Sequence, residues 1–318
     1  MNQGWTYRDR VPAPAAAATL LDFYAQRYQH SSRAEWRQRI AQGQITVAGQ
    51  PGHPEQRLAA GQSLAYHRDP WQEPDVPLDF EILYEDADLL AIAKPSGLPV
   101  LPGGQFLDHT LLHQLQRRYP PAPPSPVHRL GRGTSGIMLL ARSPLAKADL
   151  SQQFRSPRSA EPAPAHMQKT YRALIGPGEL PDTLEMTTPI GPVPYPVLGT
   201  VQAANPAGKW AYSQGRIRQR RPSATLVEVD ILTGRPHQIR IHLAAAGYPL
   251  LGDPLYAPGG LPYPVTDLAH LPVPSDLGYW LHAYQLRFTH PRTRQPLTLT
   301  CPPPPCLEIQ TAKIAKAD

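Results

Sequence analysis

The stretch His128-Arg129-Leu130-Gly131-Arg132-Gly133-Thr134-Ser135-Gly136 decides between two kinds of protein. Its glycines fall on the G-x-G-x-x-G spacing of a dinucleotide-binding turn. Such a turn works only between a strand and a helix, because the helix N-terminus has to meet the pyrophosphate. Here the following Ile137-Met138-Leu139-Leu140-Ala141 has no helical periodicity, and Ser143-Pro144 breaks the chain at once. The acidic residue expected about twenty positions further on is not well placed either. The segment therefore reads as a glycine-rich turn between two apolar runs of strand length, 127–130 and 137–141, with no nucleotide cofactor.

Working outward, Phe80, Ile82 and Leu83 open a strand, and 89–93 form another that ends at Lys94-Pro95-Ser96-Gly97. A proline-rich loop covers 119–126, a helix 145–154, a Pro/Ser-rich loop 155–165 and a strand 169–175. Val227, Val229 and Ile231 alternate with Glu228 and Asp230, the pattern of a half-exposed strand. Pro236 can open a helix that Ile239, Leu243 and Ala246 continue and Gly247 closes. Residues 280–288 and 295–300 look like a closing hairpin. With no repeat and no sustained βαβ rhythm, the expected fold class is α+β, built on a mixed, largely antiparallel central sheet with helices.

The strings around the glycine turn carry more than any one of them alone. His128-Arg129-Leu130 followed by Thr134-Ser135-Gly136 resembles the central motif of the RluA-type RNA pseudouridine synthases. Lys94-Pro95-Ser96-Gly97-Leu98-Pro99-Val100 is similar to that family's first motif, and Lys169-Thr170-Tyr171-Arg172-Ala173 to its tyrosine motif. Thr233-Gly234-Arg235-Pro236-His237-Gln238-Ile239-Arg240-Ile241-His242-Leu243 resembles its third. Gly252-Asp253-Pro254-Leu255-Tyr256 and Leu281-His282-Ala283 complete the series in family order. The resemblance implies a catalytic domain over 78–302 that isomerises uridine to pseudouridine in RNA, without cofactor, on a base flipped from its stack. It assigns Tyr171 to packing on the base, Arg240 to pairing with a catalytic aspartate, and Ile239 to the adjacent apolar wall. His128, Arg129, Arg132, Thr134, Arg235, His237 and Gln238 become candidates for RNA contact.

The catalytic aspartate should follow His-Arg-Leu, and that position is Gly131. Glycine offers neither nucleophile nor carboxylate. Three readings stay open: a carboxylate from elsewhere, a different mechanism, or an RNA-binding protein without this chemistry. A buried Arg240 would need a partner in any case. Asp253, ordered water or an RNA phosphate could supply it.

Toward the N-terminus, Leu20, Tyr24 and Tyr28 recur at helical spacing, as do Trp36 and Ile40. Ser31 or Ser32 can cap the second helix and Gly43 can close it. A strand at 44–47 follows. This order resembles the alpha-L RNA-binding module of ribosomal proteins, a small α/β unit placed at 16–70, with Arg33 and Arg37 as its RNA-facing candidates. A proline-marked linker leads from it to the second domain, and 303–318 reads as a polar tail.

The formal net charge of +6 suits a polyanionic partner, ribosomal or transfer RNA. Arg216, Arg218, Arg220 and Arg221 would add a phosphate-contacting rim. Cys301 and Cys306, the two cysteines, lack redox or zinc spacing, which points to reduced thiols in the cytosol. The alanine run at 15–18 lacks the basic start of a signal peptide, and no stretch approaches the ~20 apolar residues of a membrane span. His237 and His242 fall on different faces of a helix or strand, so no metal site is expected. A monomer is the expected state.

Overall fold

A computed structural model describes residues 1–155, 167–268 and 270–310. Most of the expected Pro/Ser-rich loop, and the tail beyond 310, lie outside these residues. The chain divides into two compact units, Met1–Pro74 with Pro194–Thr200, and Asp75–Val193 with the rest from Val201.

The first unit contains β1 (Trp5–Arg10), α1 (Leu20–Arg27), α2 (Arg33–Ala41), β2 (Ile45–Val47), β3 (Gln50–Pro51) and β4 (Ser63–Arg68). Ser32 is the cap of α2. Its side chain accepts from Glu35 N, and the Glu35 side chain accepts from Ser32 N, a reciprocal capping box. Leu20, Leu21, Phe23 and Tyr24 of α1 meet Trp36 and Ile40 of α2 over Ile45, Val47, Leu64 and Tyr66 of the sheet. The sheet order is β1-β4-β2-β3. β1 precedes the boundary expected from sequence, so the folded unit starts before residue 16.

The second unit contains β5 (Glu81–Glu85), β6 (Leu89–Lys94), α3 (Leu111–Arg118), β7 (Ser125–Pro126), β8 (Ser135–Ala141), α4 (Pro144–Gln153), β9 (Gln168–Ile175), β10 (Thr183–Met186), β13 (Ser213–Arg220), β14 (Thr225–Ile231), α5 (Gln238–Ala245), β15 (Leu281–Thr289) and β16 (Pro296–Thr300). β11 (Ile190–Tyr195) and β12 (Gly199–Ala204) form a separate hairpin whose tip falls in the first unit's residues. The main sheet runs β10-β13-β14-β9-β15-β8-β6-β5, with β16 on β15 and β7 on β8. Its pairings are antiparallel except β15 with β8, where His282 and Ala283 run parallel to Ser135 and Gly136. This is the α+β class expected.

Residues 137–141 continue as strand after the glycine turn, which removes the helix a dinucleotide site requires. The run 127–130 is not a strand. The pairing segment before the turn is the two-residue β7, because the His128 ring packs inward on Phe154 and takes the Leu139 N–H. Residues 303–310, read as tail, are anchored: Leu307 is fully buried against Leu174, Ala224 and Leu226.

Candidate active site at the Gly131 turn

Gly136 sits at the parallel junction of β8 and β15 with φ +108°, and a Cβ there would lie 2.3 Å from Ala283 O. Only glycine lets the two strands join at this point. The turn just before it closes with Thr134 N donating to Gly131 O at 3.1 Å. The loop after β6 braces that turn from below. Gly97 N donates to Arg132 O at 2.8 Å, and Ser96 Oγ to Gly133 O at 2.9 Å. Lys94 is buried and gives its ammonium to Pro95 O, Leu98 O and Arg132 O. Burial, aided by the charge of Arg132, pulls its pKa down to about 7.

Beside the turn lies Arg240 on α5, 2% exposed. Its Nε and one terminal nitrogen donate to the two oxygens of Asp253 at 2.7 and 2.8 Å, and the other donates to Pro274 O at 2.9 Å. Burial opposes the guanidinium charge, but the Asp253 bonds outweigh it and raise the pKa. Asp253 Oδ1 also accepts from Leu255 N and Tyr256 N. Asp253 is thus the partner that a buried Arg240 requires. Its carboxylate is committed and sealed, with no side-chain exposure.

Two tyrosine rings flank the guanidinium, Tyr279 at 4.2 Å and Tyr256 at 4.9 Å. Tyr279 also fills the notch left by the glycines. A Cβ on Gly131 would lie 3.3 Å from its hydroxyl, and one on Gly133 2.9 Å from its ring. His237 caps α5 in a left-handed conformation, φ 56°. Tyr256 donates to Gln202 O, so His237 Nδ1 carries the proton and donates to the Tyr256 oxygen at 2.7 Å, leaving Nε2 as an acceptor. Burial, then the charges of Arg240 and Arg129, push this ring down to about 3, so it is neutral near pH 7.

Tyr171 packs both on the cluster holding Ile239 and Tyr279 and on the one holding Leu130 and Ala283. It also lines a narrow pocket with His128, Phe154 and Lys169. Burial raises Tyr171 to about 12, lowers Lys169 to about 8 and, with Lys169 nearby, lowers His128 to about 3.

The structure therefore gathers Gly131, Arg132, Thr134, His237, Ile239 and Arg240 around one turn. Arg129 is exposed nearby. Gln238 serves the start of α5: its oxygen accepts from Thr233 Oγ1 and Arg235 N, and its nitrogen donates to Tyr212 O and Ser213 Oγ. Arg235 Nε donates to Trp210 O. The rim arginines are engaged as well: Arg216 with Asp230, Arg220 with Asp182, Arg221 with Cys306 O, and Arg218 3.9 Å from Glu228.

In the first unit, Arg33 pairs with Asp22 and Arg37 with Glu55. The opposite, open face of that sheet carries Arg8 and Arg10 in a concavity with Thr46, Ser63, Ala65 and His67. Asp9, at its edge, is turned to Tyr28 and Arg27. Neither this face nor Tyr279 was singled out by the sequence motifs.

Known proteins resemble this chain in sequence and fold. The RNA pseudouridylate synthase family matches residues 88–245. A Synechocystis protein described as an uncharacterized RNA pseudouridine synthase is 54% identical over 296 residues, covering 92% of this chain and 97% of the relative. RNA pseudouridine synthase 5 of Arabidopsis thaliana is 40% identical over 353 residues, covering 98% and 95%. The solved human RNA pseudouridylate synthase domain containing 4 superposes with TM-score 0.51 at 25% identity, covering 71% of this chain and 90% of that one. The chain belongs to the RNA pseudouridine synthase family, enzymes of the isomerase class.

Proposed function

We propose that this enzyme isomerises uridine to pseudouridine in structured ribosomal or transfer RNA at the Gly131 turn, as a cofactor-free cytosolic monomer. The observation that carries the reading is the convergence of Arg240, Ile239 and Tyr171, drawn from motifs far apart in sequence, on the Tyr279 ring beside Gly131. Arg129, Arg132 and His237 ring the turn and suit contacts to a flipped nucleotide and its phosphates. The first unit serves as the RNA-binding module. Its open sheet face supports this better than α2, since Arg33 and Arg37 each sit against a carboxylate while Arg8 and Arg10 form no ion pair among the described residues. Pseudouridine maps of RNA from cells with and without the gene test the reading. One or more sites should vanish with the gene; identical maps would remove the activity and leave an RNA-binding protein.

A further inference from the structure

Moving uracil from an N-glycosidic to a C-glycosidic bond requires that C1′ of the ribose be supported while the base is detached. An anionic oxygen or an oxygen nucleophile does this in glycosyl transfer. At Gly131, apart from chain neighbours, two heavy atoms of the described residues lie within 4 Å of where a side chain would begin: Tyr279 Oη at 3.3 Å and Thr134 Oγ1 at 3.5 Å. The carboxylate of Asp253 is sealed and fully engaged by Arg240 and two backbone N–H groups. Of the two hydroxyls, the phenol is the stronger acid, and its ring faces the Arg240 guanidinium at 4.2 Å. Its oxygen has no hydrogen-bond partner among the described residues and is not sealed from solvent. Gly133 is what admits the ring, since a Cβ there would lie 2.9 Å from it.

We infer that the Tyr279 hydroxyl is the group that acts on C1′. This rests on the isomerase reading and names the residue that performs it. The phenol oxygen bonds to C1′ as the C1′–N1 bond breaks. The electron pair of that bond leaves on uracil, which takes the phenol proton. The freed base turns until C5 faces C1′. C5 then bonds to C1′ as the C1′–O bond breaks, and the departing phenolate takes the C5 proton. Tyrosine is restored, and nothing is oxidised or reduced. Arg240 offsets negative charge on the phenol oxygen in both halves of the step.

The test is Tyr279→Phe, which keeps the ring on Arg240 and removes one oxygen. Pseudouridine formation on bound RNA should fall at least about a hundredfold, with RNA affinity and melting midpoint unchanged. Adding Gly131→Asp to Tyr279→Phe should restore measurable rate, because the carboxylate enters the space the hydroxyl left. Placing 3-fluorotyrosine at 279, whose phenol ionises at lower pH, should move the pH–rate profile to lower pH. A wild-type rate in Tyr279→Phe, or an unmoved profile with 3-fluorotyrosine, would overturn the assignment and leave the isomerase reading standing. An inactive wild type would defeat that reading itself.

Discussion

The arginines of the two units do opposite work. In the first unit, Arg33 and Arg37 meet Asp22 and Glu55 in solvent, with about half of each arginine side chain exposed. In the second, Arg240 meets Asp253 with side-chain exposures of 2% and 0%. Exposed pairs exchange one hydrated partner for another and add little. A buried pair has already lost its water, so removing one member strands the other. The difference separates surface pairs that cost little to break from a buried site whose charge is fixed in the folded protein.

The largest effect expected from this contrast is at Asp253. Asp253→Asn should cost about 3–5 kcal/mol in denaturant unfolding of the second unit, because it leaves Arg240 buried without a countercharge. A cost below about 1 kcal/mol, the range of exposed pairs, would erase the distinction.

Acid should act on the same unit. Burial pushes His128 and His237 down to about 3, His242 to about 4, and lowers His282. These rings are neutral when folded, whereas the unfolded chain takes up protons below about pH 6.5. The contribution of His128, His237 and His242 is therefore complete above about 6.5 and declines as pH falls toward 4 and 3, by about 1 kcal/mol for each of these three rings at pH 5.5. In the first unit His30 is lowered, mainly by burial. Hydrogen exchange at pH 7.5 and 5.5 should show the second unit losing more protection. Equal losses would contradict the assignment of neutral, buried rings.

RNA binding sharpens the comparison within the first unit. Arg8→Gln with Arg10→Gln should weaken affinity about tenfold and lower the salt slope by about 2, the signature of two lost phosphate contacts. Arg33→Gln with Arg37→Gln should change affinity less than about threefold. The reverse order in a salt titration would move the RNA to the helix face. The smallest effect expected is on stability from Glu55→Gln, within the error of a denaturation curve; a clear drop in midpoint would show the pair to be more than a surface contact.

Much of this architecture was readable where local rules and tertiary structure agree. The serine pair Ser31-Ser32 marks the start of α2, with the structure choosing Ser32, the alternation of Val227, Val229 and Ile231 marks β14, and Pro236 precedes α5 closely. β1 was not readable because the alternation of Trp5 and Tyr7 stops at Asp9, too short to mark a strand alone; its place comes from pairing with β4. Of the candidate site, Tyr171, Ile239 and Arg240 stand in motif strings, and the fold brings all three to Tyr279. Asp253 could be named as a partner for Arg240 but not placed. Tyr279 lies outside the motif strings, and only the fold brings its ring to Gly131 and Gly133. His128 and Gln238 have motif positions too, yet their polar atoms brace backbone and helix start.

The proposed isomerisation proceeds with glycine at 131. Forming the bond from C1′ to C5 expels the C5 hydrogen, so the most direct measurement is tritium release from RNA transcribed with 5-tritiated uridine and incubated with purified wild-type protein. Release should grow with time and saturate at a fixed number of sites per RNA, matched by pseudouridine in the digested product. RNA that is bound by the protein but releases no more tritium than with heat-denatured protein would rule out the isomerisation.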